Sequence, residues 1–222
     1  MTQSTSSFAI AFLLLALGFA GSASAQDAKP GDAAAGETKV AMCIGCHNIP
    51  GYQSSFPEIY KVPKIAGQNA KYIVAALHGY KKGERKFPTM RAIASSLSEQ
   101  DMADVAAYYE QLGKGPVAPK AVPAPPENVA KLLAQANCAS CHGANFSTPI
   151  DGSYPKLAGQ YSDYLYEALK AYQTDHNAVV GRSNAIMMGM ARPFTHPEIK
   201  AIAAYLSSLP GELQTVAQSR FR

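Results

Sequence analysis

All four cysteines of the chain lie in two short motifs, in each of which a histidine directly follows the second cysteine. The motifs read C-x-x-C-H and span 43–47 and 138–142. Two thiols at this spacing can each form a thioether to one vinyl group of a haem, and the histidine then reaches the iron as an axial ligand. The pattern therefore predicts two covalently bound haem c groups. The predicted attachment residues are Cys43, Cys46, Cys138 and Cys141, and the predicted iron ligands are His47 and His142.

Other uses of paired cysteines agree less well with this pattern. A zinc ribbon needs its two pairs roughly 15–20 residues apart, and a thioredoxin-like site needs a βαβ context but no histidine. Here the pairs are far apart and each precedes a histidine. No cysteine remains for a disulfide framework. Covalent haem is the interpretation that uses every residue of both motifs.

The N-terminus predicts export. Residues 1–25 have the apolar run and the final Ala-x-Ala of a cleaved signal peptide. The stretch before the apolar run contains no Lys or Arg, so an uncleaved membrane anchor is the alternative. Export favours a periplasmic location. Thioether bonds would also protect all four cysteines from oxidation there.

The rest of the chain is an internal repeat. A segment with five prolines, 113–126, predicts a semi-rigid linker. It separates a first domain at 26–112 from a second at 127–222. Both copies contain a matched helical pattern, with Ile73, Leu77 and Tyr80 repeated as Leu165, Leu169 and Tyr172. Their last helices begin with capping boxes, Ser98 with Asp101 and Thr195 with Glu198. No long stretch alternates with period two, so we predict an all-α fold of two tandem domains.

A second axial ligand must complete each iron site, and a thioether sulfur is suitable. The repeat selects Met90 and Met187, because each precedes its terminal helix by the same spacing. Met188 is the main rival to Met187, whereas Met190 aligns with Ile93 and is interpreted as packing. The remaining histidines, 78, 176 and 196, have no counterpart in the other copy, so we interpret them as surface residues.

These motifs together resemble the cytochrome c4 family, which consists of diheme proteins built from two class I cytochrome c domains. The resemblance rests on CIGCH and CASCH, on VPKIAGQ and YPKLAGQ, on the stretch from Met90 to Tyr109, and on the proline-rich link. It implies further site residues around each haem. Pro63 and Pro155 would accept a hydrogen bond from the ligand histidines, Ile65 and Leu157 would pack on the haems, and Arg85 and Arg182 would hold haem propionates.

Charge is uneven between the two copies. Residues 61–91 contain eight basic residues and one acidic residue, whereas the matching window, 153–188, has three of each. This contrast predicts that an acidic partner docks near the N-terminal haem, guided by electrostatics. A merely solvated basic face is the alternative. An exported haem protein is not expected to bind nucleic acid.

Two closed His/Met irons favour electron transfer over catalysis, and no small-molecule substrate is expected. The resemblance implies a periplasmic carrier of single electrons between redox proteins, among them a membrane-bound oxidase or reductase. One alternative is a diheme redox enzyme, either peroxidase-like, which needs an iron that opens, or thiosulfate-oxidising, which by family analogy needs a cysteine ligand. Another is the electron-transfer subunit of a periplasmic dehydrogenase.

Overall fold

The computed structural model describes residues 29–114 and 121–218. The predicted signal peptide, 1–25, and the centre of the predicted linker, 115–120, lie outside these residues. Among the described residues no helix is both long and apolar enough to cross a membrane.

Twelve short elements make up the described chain, and their order repeats. The first copy comprises α1 (Ala33–Lys39), α2 (Ala41–His47), β1 (Gln53–Ser54), β2 (Tyr60–Lys61), α3 (Ala70–Lys81), α4 (Pro88–Ser95) and α5 (Glu99–Leu112). The second comprises α6 (Glu127–Gln135), α7 (Ala139–His142), α8 (Ser162–Gln173), α9 (Ala185–Ala191) and α10 (His196–Ser208). The prediction of two tandem helical domains is confirmed.

The terminal helix of each domain supplies the largest share of its core. Both predicted capping boxes are present, at Ser98 in α5 and at Thr195 in α10. Each box satisfies backbone donors that the first helical turn leaves free. The buried face of α5 carries Met102, Val105, Ala106 and Tyr109, and that of α10 carries Ile199, Ile202, Ala203 and Leu206. These faces centre two separate apolar clusters, one in each domain.

A short antiparallel hairpin is the one departure from an all-helical chain among the described residues. Strands β1 and β2 pair two residues each, which is too short to produce an alternating sequence pattern. The hairpin loop reaches the second domain. The Lys61 ammonium lies 3.1 Å from the Asp163 carboxylate, and Glu58 lies 3.1 Å from Lys170. The hairpin therefore contributes ion pairs to the contact between the two domains.

The C-terminal segment also crosses between domains. The backbone N–H of Gln214 donates to the Ala66 carbonyl at 3.0 Å, and Val216 packs against the first domain's core. Gly67 lies under this segment with φ +82°, and a Cβ there would be 2.7 Å from the Glu212 carbonyl oxygen. Only glycine accommodates both that backbone angle and that approach. Residues 210–218 thus form a strap from the second domain over the first.

Helix α1 is held on α5 in part by a buried carboxylate that the second domain lacks, and Lys39 at its end also pairs with Asp101 at 2.7 Å. Asp104 is 3% exposed and accepts hydrogen bonds from the Asp32 N–H at 2.9 Å, the Lys39 ammonium at 2.7 Å and the Gln100 amide at 2.8 Å. The corresponding position in α10 is Ala201. Because α1 leads directly into the first C-x-x-C-H motif, this carboxylate helps to position that motif.

We predict that Asp104→Ala lowers the free energy of unfolding by roughly 1–3 kcal/mol, because it leaves hydrogen-bond donors around a buried position without an acceptor. Urea denaturation followed by circular dichroism measures the change. Glu127→Ala is the matched control, since it removes only the exposed Glu127–Lys131 pair, and such pairs contribute about 0.3–0.5 kcal/mol. Equal effects of the two variants would contradict a structural role for Asp104.

Candidate functional site

Both C-x-x-C-H motifs border one apolar cavity that continues across the two domains. Its volume is about 740 Å³, which is within the range of small-molecule and cofactor sites. Helix α2 ends at His47 with its two cysteines in the preceding turn. In the second domain Cys138 is the N-cap of α7, and His142 is that helix's last residue. Each motif is thus a short helix whose thiols and imidazole face the same space.

Each histidine is oriented by a backbone carbonyl. The distance from His47 Nδ1 to the Pro63 oxygen is 2.9 Å, and that from His142 Nδ1 to the Pro155 oxygen is 3.0 Å. A carbonyl can only accept, so Nδ1 carries the proton and Nε2 keeps its lone pair. Burial lowers the pKa of both histidines, and the hydrogen bond to the proline carbonyl opposes this in part. At neutral pH both rings are therefore neutral, which is the form that binds a metal.

The cysteine environments do not favour reactive thiolates. Burial raises the pKa of Cys43 to about 11, and burial also raises the pKa of Cys138. A redox-active C-x-x-C pair instead has a lowered thiol pKa. The chemistry of these thiols therefore agrees better with thioether attachment than with disulfide exchange.

Methionines border the cavity from helices other than those that carry the C-x-x-C-H motifs. Met90, near the start of α4, and Met187, in α9, both border it. Met188 does not, because one residue further along a helix turns the side chain about 100° away. Met190, three residues after Met187, shares its face and also borders the cavity. The N-cap Asn184 fixes the start of α9 by accepting the Met187 N–H at 3.0 Å.

Apolar side chains supply most of the remaining lining. Ile65 and Leu157 border the cavity in equivalent positions of the two domains. Both lie two residues after the proline that accepts the histidine hydrogen bond. The same short segment thus supplies an acceptor for the ring and an apolar wall. Such a cavity suits a large planar apolar group.

Two arginines meet where the domains join. Arg85 and Arg182 face each other in an isolated antiparallel bridge and both border the cavity. Each guanidinium donates to a tyrosine hydroxyl at 3.1 Å, Arg85 to Tyr72 and Arg182 to Tyr164. Among the described residues, neither guanidinium makes an ion pair with a carboxylate, and both lie over tyrosine rings. Two partly buried positive charges at one boundary favour an anion beside them, and haem carries two carboxylates. The cavity, its ligand set and this paired charge together fit haem.

The three other histidines lie away from the cavity lining. His78 is 3.0 Å from the Glu99 carboxylate, and His196 makes an edge contact with the Tyr166 ring. Neither arrangement leaves an imidazole directed at the cavity.

The basic window, 61–91, divides into two groups. Five of its members contact the second domain or the domain boundary, namely Lys61, Lys64, Lys71, Arg85 and Lys86. Lys81 donates to the Leu97 carbonyl at 2.7 Å. Lys82 and Arg91 are exposed and make no ion pair with any residue in 29–114 or 121–218. The charge available to a partner is smaller than the residue count indicates.

Sequence reasoning did not assign a role to four residues at this boundary. Tyr72 and Tyr164 accept hydrogen bonds from the two arginines. Gln68 and Gln160 each form hydrogen bonds with the backbone of a lysine in the other domain. Both pairs occupy matching positions of the repeat. The same residue type occurs at each position in both copies, and this could have indicated a role, because solvent-facing positions of a repeat are free to diverge.

A family model described as Cytochrome c matches residues 33–113 and again 126–210. Cytochrome c4 of Pseudomonas aeruginosa is 32% identical over 89% of this chain and 96% of its own. A protein of Stutzerimonas stutzeri named thiosulfate dehydrogenase electron acceptor is 29% identical over 78% of this chain and 81% of its own. Among solved structures, reduced recombinant cytochrome c4 from Pseudomonas stutzeri is similar with a TM-score of 0.58 and 27% identity, covering 81% of this chain and 100% of that one.

Proposed function

The chain belongs to the cytochrome c4 family of diheme electron-transfer proteins, and we propose that it acts in the periplasm, passing single electrons between respiratory partners toward a terminal oxidase. The observation that carries this proposal is the paired lining of the cavity. In each domain a neutral, oriented histidine and a methionine border the same space. A His/Met pair fills both axial positions of a haem iron, which favours electron transfer over substrate chemistry.

The ligand assignment follows from this lining. Cys43 and Cys46 attach the first haem and Cys138 and Cys141 the second. His47 with Met90, and His142 with Met187, would hold the two irons. Bound haem supplies an iron that exchanges one electron between the ferric and ferrous states. The protein keeps water away from that iron, fixes the histidine rings through Pro63 and Pro155, and supplies the apolar contacts of Ile65 and Leu157.

The paired arginines give the two sites a common boundary. Arg85 and Arg182 would hold haem propionates, because a guanidinium pairs well with a carboxylate. The backbones of the two arginines pair across the boundary, so residues of both domains would hold the cofactors close to one boundary.

Carbon monoxide tests the closed-iron proposal. We expect the optical spectrum of the reduced wild-type protein to be unchanged by carbon monoxide, because both irons have two firm protein ligands. A shift in part of the spectrum would mean that one iron opens readily. In that case the peroxidase-like alternative would replace electron carriage.

Methionine variants test the distal ligands separately. We predict that Met90→Ala and Met187→Ala each let one of the two haems bind carbon monoxide, which gives about half of the maximal spectral change. Met188→Leu should give none, since Met188 does not border the cavity. If Met187→Ala does not bind additional carbon monoxide, another methionine must occupy the iron. The double variant Met187→Ala with Met190→Ile then identifies it: carbon monoxide binding indicates that Met190 had replaced Met187, and no binding indicates that Met188 is the ligand.

The partner of the first domain is proposed to present an acidic face. Lys82 and Arg91 lie together, since a Cβ placed on the intervening Gly83 would be 3.8 Å from the Arg91 guanidinium carbon. Arg91 directly follows Met90. The two exposed charges therefore lie in the first domain close to the element that carries Met90, outside the cavity lining, where they can steer an acidic protein.

We predict that Lys82→Ala combined with Arg91→Ala slows electron exchange with the membrane partner several-fold at low salt, with the difference shrinking as ionic strength rises. Stopped-flow oxidation of the reduced protein by membranes of the producing cells measures the rate. Lys131→Ala combined with Lys200→Ala removes the same charge from the second domain and should have little effect. Equal slowing by both pairs would indicate a general charge effect instead of docking at the first domain.

A second candidate is electron acceptance from a thiosulfate dehydrogenase, which the name of the Stutzerimonas stutzeri relative favours. Both roles use the same haem sites and differ in the electron donor. Reduction of the oxidised protein by a purified thiosulfate dehydrogenase with thiosulfate separates them. Rapid reduction supports the acceptor role, whereas reduction only by respiratory membranes supports the oxidase-directed carrier.

A further inference from the structure

We propose that Gln68 and Gln160 are positioning residues that connect the axial histidine of each domain to the opposite domain, so that the reduction potential of each haem depends on contact between the domains. The inference rests on the proposed ligand role of His47 and His142. It concerns two buried side chains for which haem attachment and iron ligation give no role. Gln68 is 3% exposed and Gln160 is 4% exposed.

The two glutamines make mirror-image contacts. Gln160 accepts the Lys64 N–H on its Oε1 at 3.0 Å and donates from its Nε2 to the Lys64 carbonyl at 2.9 Å. Gln68 does the same with Lys156, at 3.0 Å and 3.1 Å. Each glutamine therefore reaches across the boundary and pairs with both backbone groups of one lysine.

These contacts engage the peptide groups that orient the histidines. The N–H of Lys64 and the C=O of Pro63 belong to one peptide unit, and that C=O is the acceptor of His47 Nδ1 at 2.9 Å. The peptide between Pro155 and Lys156 holds His142 in the same way. A continuous line of hydrogen bonds thus runs from each axial histidine, through one peptide unit, to a glutamine of the other domain.

The orientation of each amide is determined by its neighbours. Gln68 Oε1 also accepts the N–H of Asn69 at 3.0 Å, and Gln160 Oε1 accepts that of Tyr161 at 3.0 Å. A backbone N–H can only donate and a carbonyl can only accept. Reversing either amide would place donor against donor at two contacts and acceptor against acceptor at the lysine carbonyl, so the oxygen must face the lysine N–H.

The consequence for the iron follows from polarisation of the peptide. An acceptor on the N–H side of a peptide increases the negative charge on its carbonyl oxygen, because hydrogen bonds in a chain strengthen one another. A stronger acceptor at His Nδ1 makes the imidazole a more basic ligand, which favours ferric iron. Contact between the domains should therefore lower the reduction potential of each haem.

Energetic coupling of this kind is reciprocal. If docking lowers the potential of a haem, oxidation of that haem must strengthen docking by the same factor. The oxidised protein should then hold its domains together more firmly than the reduced protein. The glutamines would connect oxidation state to domain contact without any change in iron ligands.

Because each glutamine contacts the other domain, a variant in one domain should change the haem of the other. Redox titration followed by NMR resolves the haem methyl signals of each domain. We expect Gln160→Leu to raise the potential of the first-domain haem and to leave the second unchanged, and Gln68→Leu to do the reverse. The Lys64 amide proton of reduced Gln160→Leu should also shift upfield, since it loses its acceptor. Asn69→Ala is the matched control, because it removes a neutral contact to the Tyr154 carbonyl and touches neither Pro–Lys peptide.

The outcomes are distinguishable. A change in the haem of the variant's own domain, an equal change in both haems, or no change would overturn the proposal. If Gln160→Leu disturbs docking, Gln160→Glu supplies the second test, because its carboxylate retains an acceptor and should move the first-domain potential downward. A merely structural role gives both variants the same sign. Carbon monoxide binding by the wild-type protein would instead refute the ligand assignment itself.

Discussion

The hydrogen bond from each motif histidine, the proposed iron ligand, to a proline carbonyl is the constraint on which the site depends. It determines which ring nitrogen carries the proton and holds the ring in place. Burial keeps the ring neutral, so the remaining nitrogen has a lone pair for iron. For this to work, the helix that ends in the histidine and the extended segment that contains the proline must be fixed relative to one another. The terminal helices α5 and α10 provide that support through the core of each domain.

Joining two such domains creates a second requirement, because like charges are partly buried at their boundary. Arg85 and Arg182 come together with tyrosine hydroxyls as partners. That arrangement suits the carboxylates of two haems and is unfavourable without an anion. Cofactor binding and domain contact therefore support one another. The hairpin adds ion pairs at the edge of the same boundary, where Lys61 meets Asp163 and Glu58 meets Lys170.

The sequence was sufficient for features that depend on local chemistry. Cysteine spacing predicts haem attachment, and the capping boxes at Ser98 and Thr195 were found where they were expected. Contacts between the copies could not be derived in this way. Nothing in the charge of Lys61 or Lys64 shows that each points at the other domain, and two-residue strands leave no periodic pattern. The choice between Met187 and Met188 depends on a helical rotation of one residue, and only the placed helix α9 shows that Met187 borders the cavity while Met188 does not.

The strap at 210–218 changes what separation of the domains involves. A chain with one linker could open like a hinge, but here the second domain is attached at both of its ends. One attachment is the covalent link near 113–126, and the other is the pairing of Gln214 with Ala66 and the packing of Val216 on the first core. Opening must first release the strap, which is a local unfolding step. Until then the effective concentration of one domain near the other stays high, so the assembled state persists through repeated encounters with partners.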